Sequence, residues 1–526
     1  MSEQRFDYVI VGAGAAGCVL ANRLSANPNV RVALLEAGGP DKAQEIRVPA
    51  AFSKLFTTAY DWNYRTTKQS GLADRELYWP RGKTLGGSTS INAQMWLRGQ
   101  RADYDAWDCP GWSYDEVLPY FRRAERRQAN AAASGAYGAD GPLWISDLRT
   151  PHPLTRAFLT ACAQAGLPHE GNLNDATHAA YGLTPVTQRR GRRWSAADAY
   201  LRPARRRPNL TVVTGALVER VDLDGDTATG VTYRDASGAT RQILAGREVI
   251  VSAGTVNSPQ LLLLSGIGDA DHLRSVGITP RHVLPAVGTH LQDHLATGIG
   301  VHCPAPITMV SAESARYLLQ YLLAHKGMLT SNVAEGVAFI RSNPSVTVPD
   351  LELIFAPVPF IDHGLTPPPG HGFTVGVVLL QPESVGRITL ASADPADAPL
   401  IDPGYLTEAA DARRLVAGLK AAHRLLDTEA LRPYAGAPMA PWAGQLDDES
   451  LLRHVREHSE TLYHPVGTCR MGTGDDTVVD CELKVHGLRG LRVADASVMP
   501  RLNRGHTQAP VFMIGEKAAD LVAASA

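Results

Sequence analysis

The amino-terminal segment constrains the fold more than any other part of the chain. Residues 6–11, FDYVIV, predict a short buried strand, and the glycine-rich run GAGAAG at 12–17 follows it directly. A helical stretch at 18–26, CVLANRLSA, leads to a second predicted strand, RVALLE, which ends in Glu36. This order of strand, GxGxxG, helix, strand and acid is the pattern of a fold that binds dinucleotides. The chain is therefore predicted to begin with a parallel α/β unit that binds a nucleotide.

Each position of this motif has a physical role. Gly12 makes the tight turn, Gly14 lets the backbone approach a pyrophosphate, and Gly17 lets the helix pack closely on the sheet. The pyrophosphate then lies at the helix N-terminus, where the backbone N–H groups have no partner within the helix. Glu36 can bind both ribose hydroxyls of an adenosine and would repel a 2′-phosphate, so NADP is disfavoured. The motif alone does not separate NAD from FAD.

Composition excludes several other classes of function. A chain of 526 residues is too long for one simple core and favours two domains of unequal size. The formal net charge is −2, so no global field attracts nucleic acid. No apolar run reaches the length of about 18 residues that a membrane span needs, and because the first apolar run leads straight into the glycine motif we expect no signal peptide. We expect a cytoplasmic protein without a transmembrane segment, with a peripheral membrane contact left open.

The cysteines predict neither a disulfide framework nor a metal site. The chain contains six of them, at positions 18, 109, 162, 303, 469 and 481. They form no CxxC pair, and a chain of this size does not need disulfide staples, so reduced thiols are expected. Cys469 follows His464 closely, but two possible ligands do not make a metal site, and no metal is predicted.

A second glycine motif lies at 81–105, RGKTLGGSTSINAQMWLRGQRADYD. Its paired glycines, Gly86 and Gly87, are followed by the hydroxyl-rich run Ser88–Ser90. Such a loop can lay backbone N–H groups on a phosphate or on the edge of a flavin. Composition alone does not exclude an ordinary tight turn here.

This stretch resembles the first signature of the glucose–methanol–choline (GMC) oxidoreductase family of flavoenzymes. GTVNSPQLLLLSGIG at 254–268 resembles the second signature of that family. Further blocks follow in the family's order at 284–294 (LPAVGTHLQDH), 464–472 (HPVGTCRMG) and 491–500 (LRVADASVMP). The resemblance covers essentially the whole chain and looks closest to the choline-dehydrogenase-like and alcohol-dehydrogenase branch. It implies an FAD-dependent oxidoreductase that acts on CH–OH donors.

The resemblance also implies the architecture. The fold class is α/β, with a discontinuous, Rossmann-like FAD-binding domain and a second α+β substrate domain whose antiparallel sheet is covered by helices. The FAD-binding domain is predicted over 1–154, 206–300 and 461–526, and the substrate domain over 155–205 and 301–460. Within the latter, stretches at 351–360, 373–380 and 386–392 predict antiparallel strands. Helical patterns follow near 407–428 and 449–460.

Carried onto this chain residue by residue, the resemblance implies how FAD is held. Glu36 binds the adenosine ribose, the backbone of Val218 meets the adenine, and the loop after Gly86 follows the diphosphate and ribityl chain toward the flavin ring. The residues assigned to the cofactor are Gly12, Gly14, Ala15, Ala16, Gly17, Glu36, Ala37, Thr84, Gly86, Gly87, Ser88, Asn92, Ala93, Met95, Val218, Asp495, Ala496, Thr507 and Gln508. Some family members link flavin to a histidine just before this loop's asparagine. Here Ile91 precedes Asn92 and cannot form that bond, so FAD is predicted to be non-covalent.

Two histidines near the end of the chain match the family's active-site positions. From their local sequences alone, TLYHPVG and RGHTQAP, packed core imidazoles would be the simpler interpretation of His464 and His506. The resemblance makes His464 the catalytic base and His506 its partner, a His/His pair like that of glucose oxidase and aryl-alcohol oxidase. The most similar branch usually carries asparagine at the second position. A neutral imidazole, with an ordinary pKa of about 6.5, suits removal of an alcohol proton, while the other imidazole holds the oxygen.

The predicted reaction is oxidation of a primary alcohol to the aldehyde by hydride transfer to flavin N5. The helix-like segment after Pro510 would point its N-terminal N–H groups toward the flavin, where its dipole favours negative charge. The alternative is a flavin-containing lyase of the same family, similar to the hydroxynitrile lyases, without net redox turnover. The identity of the alcohol, and the choice between oxygen and a quinone as electron acceptor, stay open.

The substrate side is less well defined by the sequence. Tyr463 is predicted to line the pocket, and Met95 and Trp96 are assigned to it with a core role equally open. A choline site would need a carboxylate, and Glu335 and Glu383 are the acids worth testing, although a structural or surface role is favoured for both. The arginine-rich segment 189–208 leaves contact with a membrane surface or a quinone partner open, with a solvated face favoured.

Overall fold

The computed structural model describes residues 4–127, 136–169, 173–174 and 180–525. Two large sheets organise these residues. The strands of the first sheet are Gln4–Val11, Val32–Glu36, Leu210–Thr214, Leu217–Asp224, Thr227–Arg234, Thr240–Val251 and Leu491–Val493. Its centre is parallel: Val9 lies beside Ala33 on one side and beside Val249 on the other.

The first sheet confirms the predicted dinucleotide-type unit. Its first strand is apolar at consecutive positions because a parallel strand is covered by helices on both faces. Helix Ala15–Leu24 connects this strand to the next one, and the C-terminal helix Gln508–Ala524 packs against it. The two helices approach so closely that a Cβ added at Gly515 would lie 3.0 Å from the Cα of Ala16.

The second sheet is antiparallel, as predicted. Its strands are Tyr181–Leu183, Leu295–His302, Gly336–Ile340, Leu351–Ala356, Gly372–Leu379, Pro438–Met439 and Glu460–Thr461. Helix Ala409–Leu426 lies flat on this sheet, because Gly418 leaves room for Val377: an added Cβ would be 2.3 Å from its Cγ1. The predicted strand at 386–392 forms only as Arg387–Thr389, and it pairs with Leu400–Asp402 outside the large sheet.

The remaining elements surround these two layers. The other α-helices of six residues or more among the described residues are Tyr114–Ala124, Pro153–Gln164, Gly254–Leu264, Ala270–Ser275, Ala315–Ala324 and Asp448–His458. Short helical segments lie at Pro49–Leu55, Ser70–Leu72, Gly87–Ser90, Arg101–Asp105, Ala197–Leu201, Arg202–Ala204, Met309–Glu313, Met328–Thr330, Asp362–Gly364 and Ala496–Val498. Two-stranded pairs join Tyr64–Arg65 to Tyr78–Trp79, Glu125–Arg127 to Leu143–Ile145, Gln188–Arg189 to Arg192–Arg193, and Ile267–Gly268 to His282–Val283.

Two segments lie elsewhere than the predicted domain boundaries imply. Strand Leu295–His302 belongs to the second sheet, although most of it falls within the predicted FAD-binding range. Segment Ala197–Leu201, predicted in the substrate domain, packs on helix Ala15–Leu24, where Asn22 Nδ2 donates to the Tyr200 carbonyl at 2.6 Å. The composition and periodicity of a segment are local properties, whereas long-range packing decides which strand or helix it contacts.

The expectation that all cysteines are reduced is wrong for two of them. Cys109 and Cys481 form a disulfide between Cα atoms 5.8 Å apart, across a sequence separation of 372 residues. That separation carries no local signal, since the fold alone brings the two loops together. Cys18, Cys162, Cys303 and Cys469 are free and buried.

None of the helices in the described ranges is long and apolar enough to cross a membrane.

Candidate active site

A cavity of about 630 Å³ lies between the two large sheets. Val11 and Leu35 line it from the first sheet, and Ile354 and Gly376 line it from the second. The predicted residues that line it are Gly12, Gly14, Ala15, Ala16, Glu36, Ala37, Gly87, Ser88, Asn92, Ala93, Met95, Val218, Tyr463, His464, Asp495, Ala496, His506, Thr507 and Gln508. The fold thus brings together segments from both ends of the chain around one space.

The glycine turn forms one end of the cavity. Gly12 has φ +99°, and a Cβ there would lie 2.4 Å from the Ser252 carbonyl oxygen, so no other residue fits. An added Cβ on Gly17 would lie 1.9 Å from the Gly12 carbonyl oxygen, which explains why Gly17 supports the turn from below without lining the cavity. A Cβ added at Gly14 meets no atom within 4 Å. Gly14 therefore faces open space that a ligand can occupy at the helix N-terminus.

Glu36 holds this turn with both carboxylate oxygens. Oε2 accepts a hydrogen bond from the Ala13 N–H at 2.8 Å, and Oε1 accepts one from the Gly38 N–H at 2.9 Å. Burial raises the pKa of Glu36 to about 7, against the lowering effect of these two bonds. Each oxygen keeps a further lone pair for a donor in the cavity.

The second glycine loop abuts the first. A Cβ added at Gly87 would lie 2.8 Å from the Cα of Gly14, so the two loops touch through glycine backbone. Thr84 and Gly86 do not line the cavity; Gly86 joins the two glycine loops, and Thr84 joins the second loop to the turn after Glu36. The Thr84 hydroxyl donates to the Gly39 carbonyl at 2.9 Å, and the Gly86 N–H donates to the Ala13 carbonyl at 2.8 Å.

A buried arginine that the sequence did not single out supports the second loop. Arg193 donates from Nη1 to the Thr89 carbonyl at 3.1 Å and to Asn92 Oδ1 at 2.8 Å, and from Nε to the Ile46 carbonyl at 2.8 Å. Asn92 in turn donates to Gln508 at the start of the C-terminal helix. Burial lowers the pKa of Arg193 to about 9.

The two histidines meet at the other end of the cavity. The ring centroids of His464 and His506 are 4.6 Å apart, with the planes at 74°. The backbone N–H of His464 donates to Asp293 Oδ1 at 2.7 Å. Asp293 also accepts from the Thr461 hydroxyl at 2.6 Å and from the Tyr405 hydroxyl, so a buried carboxylate holds the histidine backbone in place.

Hydrogen bonds assign the tautomer of His464. Burial lowers the pKa of His294 to about 3, so that its ring is neutral and carries one N–H. His294 Nε2 lies 3.1 Å from the Leu380 carbonyl oxygen, which can only accept, and its Nδ1 lies 2.9 Å from His464 Nδ1. His294 therefore donates through Nε2 and accepts at Nδ1 from His464 Nδ1–H. The lone pair of His464 is left on Nε2, which has no hydrogen-bond partner among the described residues.

His506 has an acid behind it. Its Nε2 lies 3.2 Å from Glu352 Oε2 and 3.3 Å from Oε1, and the Glu352 side chain is 0% exposed. Glu352 was not predicted. It stands in LELIFA, where one acid interrupts a buried strand, and a buried charge of that kind needs a partner. That local exception is the signal that sequence reasoning could have used.

Electrostatics keep His464 in its base form. Its pKa is lowered well below the ordinary value, first by withdrawal from water and then by His506, His294 and Arg81. Each of these neighbours disfavours a positive charge on the ring. At neutral pH, the site thus holds an unprotonated imidazole nitrogen next to a second imidazole.

Two family models identify the family to which the chain belongs. The model described as GMC oxidoreductase matches residues 6–296, and a second model with the same description matches residues 382–515. The chain belongs to the GMC oxidoreductase family. It is an oxidoreductase from a family of FAD-binding enzymes, as the resemblance implied.

Several GMC relatives are similar over nearly the whole chain. An uncharacterized GMC-type oxidoreductase of Mycobacterium tuberculosis is 50% identical over 98% of this chain and 99% of its own length. An alcohol dehydrogenase (acceptor) of Pseudomonas putida is 42% identical over 98% and 95%, and human mitochondrial choline dehydrogenase is 42% identical over 99% and 90%. The crystal structure of pyridoxine 4-oxidase from Mesorbium loti is 32% identical and superposes with a TM-score of 0.89 over 98% of both chains.

The cavity of this GMC enzyme fits FAD by its own geometry. The open space over Gly14, the helix N-terminus beside it and the Glu36 carboxylate suit a pyrophosphate and a ribose. Thr507, at the N-cap position of the C-terminal helix, and Gln508 line the same cavity, so the positive end of that helix points into it.

The substrate end of the GMC cavity contains a second polar chain. The Tyr463 hydroxyl lies 2.6 Å from His363 Nδ1, and His363 Nε2 lies 3.3 Å from Glu460 Oε2. Phe56 packs on Tyr463 with ring centroids 6.0 Å apart. His363 was missed by sequence reasoning, because nothing in its surface-like loop sequence marks it.

Three residues considered for the substrate pocket lie elsewhere. Trp96 is fully buried, donates from Nε1 to Glu125 Oε1 at 2.8 Å, and does not line the cavity. Glu335 is buried and accepts from the His152 N–H and the Thr155 hydroxyl, each at 2.7 Å. Glu383 is half exposed and pairs with Arg414. Each of these side chains therefore has a structural partner away from the reacting centre.

Proposed function

We propose that this GMC oxidoreductase converts a primary alcohol to its aldehyde, with His464 as the base and His506 as the group that positions the hydroxyl. The observation that carries the proposal is the unpartnered Nε2 of His464, a residue that lines the cavity beside His506. Neither the family description nor the relatives named above carry a lyase activity, so the lyase alternative is left without support.

The proton and the electron pair leave the alcohol in different directions. FAD, when bound, supplies a hydride acceptor at N5. His464 Nε2 takes the hydroxyl proton from the oxygen. The carbon that bears this oxygen loses a hydride, which carries away the C–H electron pair, so that the alcohol becomes an aldehyde. His464 Nδ1–H stays on its bond to His294 throughout, and this bond keeps Nε2 directed at the hydroxyl.

His506 and Glu352 act on the substrate oxygen. Nε2 of His506 lies 3.2 Å from Glu352 Oε2, which fixes the ring and leaves Nδ1 as the nitrogen that can reach the substrate oxygen. A ring held in one orientation keeps the hydroxyl in place while His464 removes its proton.

The test uses the purified yellow protein in a sealed, oxygen-free cuvette with aliphatic, benzylic, furanic, choline-like and sugar alcohols. A true substrate is expected to bleach the band near the blue end of the visible spectrum. If air then restores the colour quickly, oxygen is the acceptor; bleaching that persists in air until a quinone is added identifies a dehydrogenase. A fully loaded flavin that no alcohol of the panel bleaches would contradict the proposed reaction.

We also propose that FAD is bound non-covalently, because Ile91 stands where a linking histidine would be. Ile91 is buried in an apolar cluster with Phe52 and Phe56 and offers no nucleophile to the flavin. Acid precipitation is expected to leave all the yellow colour in the supernatant and none in the pellet. The Ile91→His variant is the matched comparison; colour that remains with the precipitated wild-type protein would contradict the prediction.

A further inference from the structure

Helix Ala315–Ala324 turns its leucines toward solvent. Leu318, Leu319, Leu322 and Leu323 are 48%, 56%, 63% and 79% exposed, and these four side chains are called here the leucine stripe. Tyr321 is the buried side chain of the helix, and its hydroxyl donates to the Arg47 carbonyl at 3.2 Å. If this face had no partner, the hydrophobic effect would favour a helix orientation that buries the leucines against the protein and does not leave them in water.

The stripe is unusual on this surface. The other exposed large hydrophobic side chains in the described ranges are scattered along the chain, at Val283, Leu365, Val385, Leu400 and Leu446. Single exposed apolar residues need no explanation, whereas a contiguous apolar patch on a soluble surface marks a site of contact.

Basic side chains border the stripe. The two short strands Gln188–Arg189 and Arg192–Arg193 form a hairpin with three exposed side chains. These are Arg189, Arg190 and Arg192, and they are called here the arginine hairpin. The hairpin abuts the end of the helix, since a Cβ added at Gly191 would lie 2.5 Å from the His325 carbonyl oxygen. No ion pair among the described residues involves these three arginines. The neighbouring Glu313 is already paired, with Lys54 at 2.5 Å.

The stripe lies next to the substrate end of the cavity. The short helical segments on either side of the helix, Met309–Glu313 and Met328–Thr330, contribute to one apolar cluster with Phe52, Phe56 and Ile91. Those three side chains line the cavity. A partner that covers the leucine stripe would therefore sit beside the cavity, on its substrate side.

We propose that this face docks on an anionic lipid bilayer, with the leucine stripe inserted at the boundary between headgroups and acyl chains and the arginine hairpin on the lipid phosphates. Apolar side chains on one helical face with basic side chains at its edge are the features by which a helix lies in a membrane interface. A second copy of this chain is a poorer occupant, because the same face of that copy carries exposed arginines and not free acids at its edge, and so offers the arginine hairpin no anionic partner. The inference goes beyond the proposed reaction and does not depend on it.

Flotation of the flavin-loaded protein with lipid vesicles tests this docking. The wild-type protein is expected to float with phosphatidylcholine vesicles that contain phosphatidylglycerol, to float less with phosphatidylcholine alone, and to be released by high salt. The double variant Leu319→Asp with Leu323→Asp is expected to lose flotation on both. Arg190→Glu with Arg192→Glu is expected to lower binding to the anionic vesicles by roughly tenfold or more, and to change binding to the neutral ones little.

Leu400→Asp is the matched control, since Leu400 is 46% exposed on a strand outside the helix and its change should leave flotation intact. Flavin absorbance and melting temperature report that each variant is folded. Wild-type protein that stays unbound on every vesicle, or a leucine variant that still floats, would overturn the inference. Sedimentation that shows a dimer in the wild type and a monomer in the leucine variant would assign the stripe to a second copy instead.

Discussion

Replacing His464 by alanine is expected to slow the reduction of bound flavin by the alcohol about 10²–10⁴-fold, the usual contribution of a positioned base. The flavin itself should stay bound, because His464 lies at the opposite end of the cavity from the nucleotide turn at Gly12 and Gly14. The measurement is the rate of flavin bleaching after anaerobic mixing with a saturating substrate in a stopped-flow spectrometer.

The pH dependence separates a base from a merely structural histidine. The pKa of His464 is lowered, so the neutral form that accepts a proton persists as the pH falls through about 6.5, the ordinary value of an imidazole. The wild-type rate of flavin reduction should therefore show no loss at that pH and should fall only in more acidic solution, where His464 Nε2 becomes protonated. In His464→Ala, the slow residual rate should lack this acidic limb.

His282→Ala is the matched control for this experiment. His282 Nε2 hydrogen-bonds the His486 carbonyl at 2.8 Å, and the residue does not line the cavity. The same histidine-to-alanine change outside the cavity should leave the rate of flavin reduction unchanged. Reduction at a near-normal rate in His464→Ala, with the control also normal, would contradict the assignment of the base.

Gly14→Val is expected to produce a folded protein that retains FAD poorly. In the protein alone, a Cβ at Gly14 meets no atom within 4 Å, and the backbone φ of −74° suits any residue. The added side chain enters the space where the pyrophosphate would lie. Overpacking of a filled site costs about 1–3 kcal/mol, which is roughly 5–150-fold in affinity. The ratio of flavin to protein absorbance and a titration of FAD into the apoprotein measure the loss.

The control for this substitution is Gly39→Val. An added Cβ at Gly39 also meets nothing within 4 Å, but this glycine is exposed and does not line the cavity. It should keep its flavin, and both variants should melt at similar temperatures in the apo form. Full flavin occupancy in Gly14→Val would show that the cofactor does not lie over this turn.

How well a feature could be predicted from the sequence depended on how far apart in the chain its interacting residues lie. The strand, glycine turn, helix and acid at 6–36 could be read directly, because each role depends on neighbours within one supersecondary unit. Two strands of the second sheet, Leu351–Ala356 and Gly372–Leu379, were found from their local pattern. The predicted strand at 386–392 was assigned to the same sheet, but it forms only at 387–389 and pairs with 400–402 in a sheet of its own.

The active site shows the limit more sharply. His464 and His506 could be named from short motifs, but the acids and histidine behind them could not. Asp293 and His294 come from a segment about 170 residues away in sequence from His464, and Glu352 lies 154 residues from His506. The strand pairing and loop packing that bring them into contact leave no periodic pattern in the chain.

The sequence by itself determined the family, the dinucleotide turn and the identity of the two histidines, because these depend on residue types in contiguous motifs. Only the tertiary structure decided which nitrogen of His464 is left free for the proposed role of base, which acid faces His506, that Cys109 meets Cys481, and that Trp96 is packed away from the cavity. The reason is physical: hydrogen-bond partners and burial are properties of positions in space, and the chain brings those positions together only when it has folded.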